Sequence, residues 1–397
     1  MTVPVSRAPE PVRARVVAWP GPAAGEADGV YGVRVSGVPA RDLGAVADAA
    51  GRAGLWTHRE AGAVVLSGPV AALDAFCRGG VGEAGLRVAQ ALDRFRRPPR
   101  VLEARGRSLD LGRPLIVGIL NATPDSFYDH GRYFDRPAAL ARADEMVAEG
   151  ADLVEVGGES ARPGRAIGVD EEIRRAVPLI EALAGRLPVP VAVDTYKAEV
   201  ARRAVEAGAV LINDISGVAD PRMAEVAAAS GAALVVMHIQ GRPKVANPSP
   251  RYRSVVDEVY AFLEDRTAAA RAAGVPGSRL VVDPGFSFGK APRHDLELLR
   301  RLGEFRSLGY PLYLATSRKN YIRDLLGLPV DDLLEGTAAV IAYGVAQGAD
   351  LVRTHDVRFM ARVVRMTRMI VQPEAGGARP GAGAGSSEPP CGGPRRG

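Results

Sequence analysis

Asn121, Asp194, Asn213 and Asp283 each close a short apolar run, and Ser317, Arg318, Lys319, Arg353 and His355 do the same further along the chain. Two carboxylates and an amide in an apolar mouth suit a flat heterocycle. An amidine-like N–H edge satisfies a carboxylate bidentately, and an amide both donates and accepts. Arg162, Arg353 and His355 are cationic or can become so, which suits a phosphate or diphosphate. Asn121 can offer an oxygen to Mg²⁺, an ion that prefers oxygen ligands and usually keeps waters and ligand phosphates. The set therefore predicts a heterocycle at the floor of a site and a polyphosphate at its rim. A zinc hydrolase fits poorly, because the five histidines are scattered and no pair has ligand spacing. Singly, each residue has a plainer role; Asp125, Asp214 and Asp356 are good helix N-caps. The whole set resists that explanation.

The elements that must position these residues follow from the apolar pattern. Runs at 115–120, 152–156, 190–193, 209–212, 232–237, 279–282, 311–315 and 350–352 alternate with segments of helical periodicity such as 138–149, 170–185, 253–273 and 356–370. This predicts an α/β fold, a (β/α)₈ TIM barrel, whose chemistry sits at the C-terminal ends of its strands. A doubly wound open sheet is the alternative, since strand order is not readable from one sequence. Loops 122–136 and 157–169 are longer than usual βα connections and rich in Gly, Pro and Asp. They are expected to close over a substrate and exclude water.

Composition bounds the rest. The chain has 397 residues, 47% hydrophobic and 24% charged, which excludes a wholly disordered protein. No apolar run is long enough to span a membrane, and no secretory leader is evident. The net charge of +5 is weak evidence for nucleic acid. Cys77 and Cys391 form no disulfide framework, so a cytoplasmic location is expected. Residues 1–95 predict a small α+β domain, with strands at 31–38 and 63–67 and helices at 40–53 and from 70, and with His58 at the surface. Residues 96–114 predict a linker and hairpin, 115–373 the barrel, and 374–397 a disordered tail of Gly, Pro, Ala and Ser. The arginine-rich stretch 94–107 is expected to be linker, with a phosphate patch as the alternative. Only Lys197, Lys244, Lys290 and Lys319 break the dominance of arginine among 51 basic residues.

The motifs at the strand ends resemble those of the dihydropteroate synthase family across about residues 101–372. They are GILNATPDSFYDHG (118–131), GGESARPG (157–164), AVDTYK (192–197), INDISG (212–217), MHIQG (237–241), DPGFSFGK (283–290), TSRKNYI (316–322) and RTHDV (353–357). All eight occur in the family's order. The resemblance implies condensation of 6-hydroxymethyl-7,8-dihydropterin diphosphate with p-aminobenzoate, giving 7,8-dihydropteroate and diphosphate. It implies that Asp194, Asn213, Asp283 and Lys319 hold the pterin, that Asn121 ligates Mg²⁺, and that Arg162, Arg353 and His355 bind diphosphate. Asp129 and Arg162 help to assemble the p-aminobenzoate pocket beside Phe127, Pro163 and Ser317, with Met237 and Phe288 as lining. Asp129, Arg162 and Lys319 are the implied catalytic set. A homodimer and sensitivity to sulfonamides are also implied.

Two positions depart from the family pattern. Ala161 stands where threonine is usual, and Asn320 where serine is usual. Both bear on p-aminobenzoate and sulfonamide affinity; one lost hydrogen bond is worth about 1 kcal/mol. Two alternatives remain open at this point. One is a pterin-binding methyltransferase of the methyltetrahydrofolate–corrinoid type, which needs no diphosphate site. The other is a catalytically silent paralogue.

Overall fold

Short runs of Val, Ile, Leu and Ala buried on both faces belong to central parallel strands flanked by helices. The computed structural model describes residues 11–17, 29–60, 62–122 and 136–372. The N-terminal unit comprises β1 (Arg13–Val17), β2 (Val30–Ser36), α1 (Leu43–Arg52), β3 (Trp56–Glu60), β4 (Ala63–Pro69), α2 (Val70–Arg78) and α3 (Gly82–Arg96). Its four strands form an antiparallel sheet in the order β1-β2-β4-β3. Val33, Val35, Val64 and Leu66 project from one face and pack with Leu73, Phe76, Val88 and Leu92 of the helices. The other face carries arginines. Arg15 pairs with Glu304 at 2.6 Å and also with Asp257, and Arg13 pairs with Glu264 at 2.8 Å. These bonds lay the sheet on the side of the following domain. Strands β1 and β3 and helix α3 are additional to the sequence expectation. Arg94 and Arg96 lie in the last turn of α3 rather than in a linker, and His58 lies exposed on β3.

The hairpin of β5 (Val101–Ala104) and β6 (Arg107–Asp110) follows. Next come β7 (Leu115–Asn121), α4 (Arg136–Glu149), β8 (Leu153–Gly157), α5 (Val169–Ala184), β9 (Val191–Asp194), α6 (Ala198–Glu206), β10 (Leu211–Asp214), α7 (Arg222–Ser230) and β11 (Ala233–Met237). The chain continues through α8 (Val255–Ala272), β12 (Leu280–Asp283), α9 (Pro292–Arg300), β13 (Tyr313–Leu314), α10 (Asn320–Leu326), α11 (Leu334–Ala346), β14 (Leu351–Thr354) and α12 (Val357–Val371). The eight strands β7 to β14 pair in parallel, in the order β12-β11-β10-β9-β8-β7-β14-β13. A single parallel bridge between Val282 and Leu312 joins the two ends of that order, so the sheet closes into the expected barrel. The doubly wound alternative is excluded.

Two apolar layers hold the barrel. Outside the sheet, Ile116, Leu120, Val154, Val156, Val193, Ile212, Leu234 and Val282 pack against the helices. Inside it, Val117, Leu153, Leu211, Val235, Val281, Tyr313 and Leu351 form a second cluster with Leu102, Ala104 and Leu111. The hairpin therefore plugs the N-terminal end of the barrel. Arg105 at its tip is tied down there, its Nη1 donating to the Val205 carbonyl at 2.6 Å and its amide to the Gly231 carbonyl at 2.7 Å. This places it at the opposite end from the strand termini that carry the candidate site. The proposed tail, 374–397, lies outside the described residues, as does the loop segment 123–135 with Phe127 and Asp129.

Candidate active site

Strand register gathers the predicted residues. Asn121 pairs with Gly157, Gly157 with Asp194, and Asp194 with Asn213; on the far side, Met237 pairs with Asp283. Residues paired across a sheet point to the same face. These groups therefore ring the mouth of the barrel. Gly157 contributes space: a Cβ there would lie 3.6 Å from Asn121 Oδ1 and 4.0 Å from Asp194 Oδ2.

One layer deeper sits Glu155, in register with Ile119 and Ala192 and fully buried. Its carboxylate accepts from Arg353 Nε at 2.5 Å, from Tyr313 Oη at 2.7 Å and from Asn213 Nδ2 at 3.3 Å. Arg353 Nη2 also donates to Asp194 Oδ2 at 2.7 Å. Arg353 thus spans two carboxylates at the floor. Burial opposes its charge, but Glu155 and Asp194 outweigh that and raise its pKa. The Asn213 Oδ1 acceptor is buried and has no hydrogen-bond partner among the described residues. A buried acceptor left unpaired costs about 1–3 kcal/mol, so it marks where a ligand donor belongs.

Burial sets the titration of the other floor groups. It pushes Asp194 up to about 7, opposed by Arg353, and Asp283 up to about 6, opposed by the Gly285 amide. It lowers Lys319 to about 8. Lys319 Nζ stands 4.4 Å from the centre of the Phe288 ring, a cation–π geometry.

The rim opens into a cavity of about 360 Å³. Asn121, Arg162, Pro163, Asp194, Phe288, Ser317, Lys319, Arg353 and His355 all line it. Asn213, Met237 and Asp283 are buried at the strand ends and are not part of that lining. Ser317 Oγ accepts from the His355 amide at 3.2 Å and lies 3.0 Å from His355 Nδ1. Which of the two donates in that contact follows the tautomer of the ring. Burial, reinforced by Arg353, Arg318 and Lys319, lowers His355 to about 3, so the ring is neutral at pH 7.

The remaining charged residues hold the loops. Arg318, buried and at φ +53°, grips Asp356 through two bonds of 2.8 and 2.9 Å and donates to the carbonyls of Val330 and Asp331. This fixes the turn between Ser317 and Lys319. Lys290 Nζ donates to the carbonyls of Gly285 at 2.7 Å and Phe288 at 3.2 Å, and lies 2.8 Å from His238 Nδ1. A compact ammonium fits such a cage where a planar guanidinium would not. Gly285 itself is required there, since a Cβ would stand 1.9 Å from the His238 carbonyl oxygen. Lys197 Nζ joins Glu172 at 2.6 Å, Glu159 at 2.9 Å and the Ile167 carbonyl at 2.9 Å, anchoring both ends of loop 157–169.

Glu155, Tyr313 and the Lys197–Glu172 pair were absent from the sequence expectations. For Glu155 a signal exists: one charge inside the apolar run LVEVG of a strand buried on both faces. Tyr313 and Glu172 carry no such mark, because their partners are distant in sequence. Among the described residues no cluster of three or more His, Cys, Asp or Glu side chains could hold a metal.

Residues 117–355 match the family model described as pterin binding enzyme. The chain is 41% identical over 266 residues to the dihydropteroate synthase of Escherichia coli (strain K12), covering 67% of this chain and 94% of that protein. It is 44% identical over 271 residues to inactive dihydropteroate synthase 2 of Mycobacterium leprae, covering 67% of this chain and 93% of that one. Among solved structures, Yersinia pestis dihydropteroate synthase with a sulfonamide drug superposes with a TM-score of 0.66 at 40% identity, over 68% of this chain and 98% of that one.

Proposed function

The chain belongs to the pterin-binding enzyme family, among relatives that are dihydropteroate synthases, and from that membership we propose that it joins 6-hydroxymethyl-7,8-dihydropterin diphosphate to p-aminobenzoate. The observation that carries this reading is the polar floor of the barrel. There the buried Asn213 Oδ1, without a hydrogen-bond partner among the described residues, belongs to a network with Glu155, Arg353 and Asp194, beside Asp283. Such a floor matches the alternating donors and acceptors on the edge of a pterin.

In this reading Asp194, Asn213 and Asp283 hold the heterocycle, and Lys319 lies against it beside Phe288. Arg162 and the neutral ring of His355 face the diphosphate. Arg353 acts mainly on Asp194, keeping that carboxylate oriented and charged, and lends positive potential to the rim. The p-aminobenzoate lies by Arg162, Pro163 and Ser317; Asp129 and Phe127, which the family resemblance adds to that pocket, lie outside the described residues. The arylamine nitrogen bonds to the pterin methylene carbon as the carbon–oxygen bond to diphosphate breaks, and the nitrogen then loses a proton. Fixed cations beside the leaving group stabilise its developing charge without reorganisation. Loop 157–169 over the cavity positions a weak nucleophile and excludes water.

The mouth also suits Mg²⁺. Gly157 leaves room beside the oxygens of Asn121 and Asp194, and an ion that keeps waters and phosphate ligands needs no larger protein cage. Asn121 is the assigned ligand, and the ion would neutralise charge on the diphosphate.

The methyl-transfer alternative leaves the cations lining the cavity without a role. The silent-paralogue alternative has one observation in its favour, the resemblance to the inactive Mycobacterium leprae protein. One experiment separates them. Purified protein is mixed with the pterin diphosphate, Mg²⁺ and labelled p-aminobenzoate; release of diphosphate with formation of labelled dihydropteroate is expected, and neither product would leave the silent reading standing.

A homodimer is part of this proposal. Phe359, Met366 and Ile370 repeat at helical spacing along α12 and are about half exposed or more, with Tyr343 exposed on the adjoining α11. Light scattering at twice the 41.7 kDa chain mass is expected. No described helix is long and apolar enough to cross a membrane, and a cytoplasmic location is proposed with the reaction. The N-terminal unit, residues 1–95, and the tail are assigned no activity.

A further inference from the structure

Loop segment 160–164 lies at the rim of the cavity. Ala161 has only a methyl group, the Ser160 hydroxyl is turned towards the Arg162 amide at 3.4 Å, and Ala161, Arg162 and Pro163 are exposed. The segment is gripped from the loop that follows β11. Lys244 Nζ donates to the Ser160 carbonyl at 2.8 Å, and the Gly164 amide donates to the Lys244 carbonyl at 2.9 Å. One residue therefore clasps both ends of the segment. Lys244 does this at φ +67°, a backbone region that non-glycine residues seldom occupy. A strained position kept by a residue with a working side chain points to a use for that side chain.

We propose that Lys244 is a positioning residue for p-aminobenzoate, holding segment 160–164 so that Arg162 and Pro163 face the cavity. The inference rests on the assignment of that segment to the p-aminobenzoate pocket. Lys244 acts through the loop, so its loss should be felt by one substrate and not by the other.

Lys244→Met keeps the stem and removes the donor. In the full chain, KM for p-aminobenzoate should rise about five- to tenfold, the size expected for one hydrogen bond. KM for the pterin diphosphate should stay within about twofold, and kcat should change less than the first KM. Amide hydrogen exchange across 160–164 should quicken while the melting temperature holds. Unchanged exchange in that segment overturns the proposal whatever the kinetics, and so does an equal rise in both KM values. Lys244→Gln, too short to span the gap, replaces the methionine variant if that does not fold. Wild-type protein that makes no product refutes the assigned reaction; the exchange measurement then decides the clasp alone.

Discussion

Arg353 on β14 bonds to Asp194 on β9 at 2.7 Å, reaching across the barrel mouth to a residue 159 positions away in sequence. The same guanidinium bonds Glu155 at 2.5 Å, so two carboxylates share one cation at the floor of the site.

Glu155→Gln tests that arrangement. The amide keeps the shape but loses the charge that Arg353, Tyr313 and Asn213 all donate to. A charge-assisted bond is worth about 1.5–3 kcal/mol, so a clear fall in melting temperature is expected together with weaker pterin binding. Calorimetric titration with a pterin checks the second part; wild-type affinity would show that the network does not orient the floor.

The pH dependence has a definite sign. Burial raises Asp283 from 3.8 to about 6 and Asp194 from 3.8 to about 7, so the folded chain binds these protons more tightly than the unfolded one. The stability contributed by these two carboxyls should therefore decline as pH rises through that window, while His355, lowered to about 3, contributes in the opposite sense. Pterin affinity should rise over the same window, since ionised carboxylates accept the ligand's N–H groups. It should fall again above about 8, where Lys319 loses its proton. Melting temperature against pH, with and without pterin, reads both trends.

Asp356→Asn should break the buried pair with Arg318. Removing one partner of a buried pair costs about 3–5 kcal/mol. The loss should appear in thermal stability and in turnover, because Arg318 sets the backbone that presents Ser317 and Lys319. A variant with normal stability but lost turnover would contradict this account.

Lys319→Ala should abolish turnover and leave the fold intact by circular dichroism. Its ammonium lies over Phe288 at the site, with no salt bridge to another element among the described residues. Unchanged turnover would remove Lys319 from the site.

Asn121 carries the metal prediction. Chelation of Mg²⁺ should stop turnover, and Asn121→Ala should raise the Mg²⁺ concentration needed for half-maximal rate by about an order of magnitude, in line with the loss of a direct ligand. An unshifted Mg²⁺ dependence would reassign the ligand.

Much of the barrel was legible because buried parallel strands write themselves as continuous apolar runs, and because the polar residue ending each run marks the C-terminal face. Strands β1 and β3 were harder. All of β3 is exposed, so burial imposes no alternation on it, and β1 spends Arg13 and Arg15 on ion pairs with the barrel. Glu155 was visible as a charge within an apolar strand, yet what it serves depends on Arg353, Tyr313 and Asn213, which reach it from three other strands.

The four lysines divide the two kinds of knowledge. Sequence alone determined that they are rare, that all fall in the barrel region, and that Lys319 ends a run with the chemistry of a ligand contact. Only the tertiary structure decided what the other three do. Lys197 joins two glutamates across loop 157–169, Lys244 clasps segment 160–164, and Lys290 fills a cage of carbonyls. The reason is physical. Local pattern records burial and periodicity, whereas an ammonium's partners are chosen by the closure of the barrel, which brings loops from separate βα units within hydrogen-bond reach.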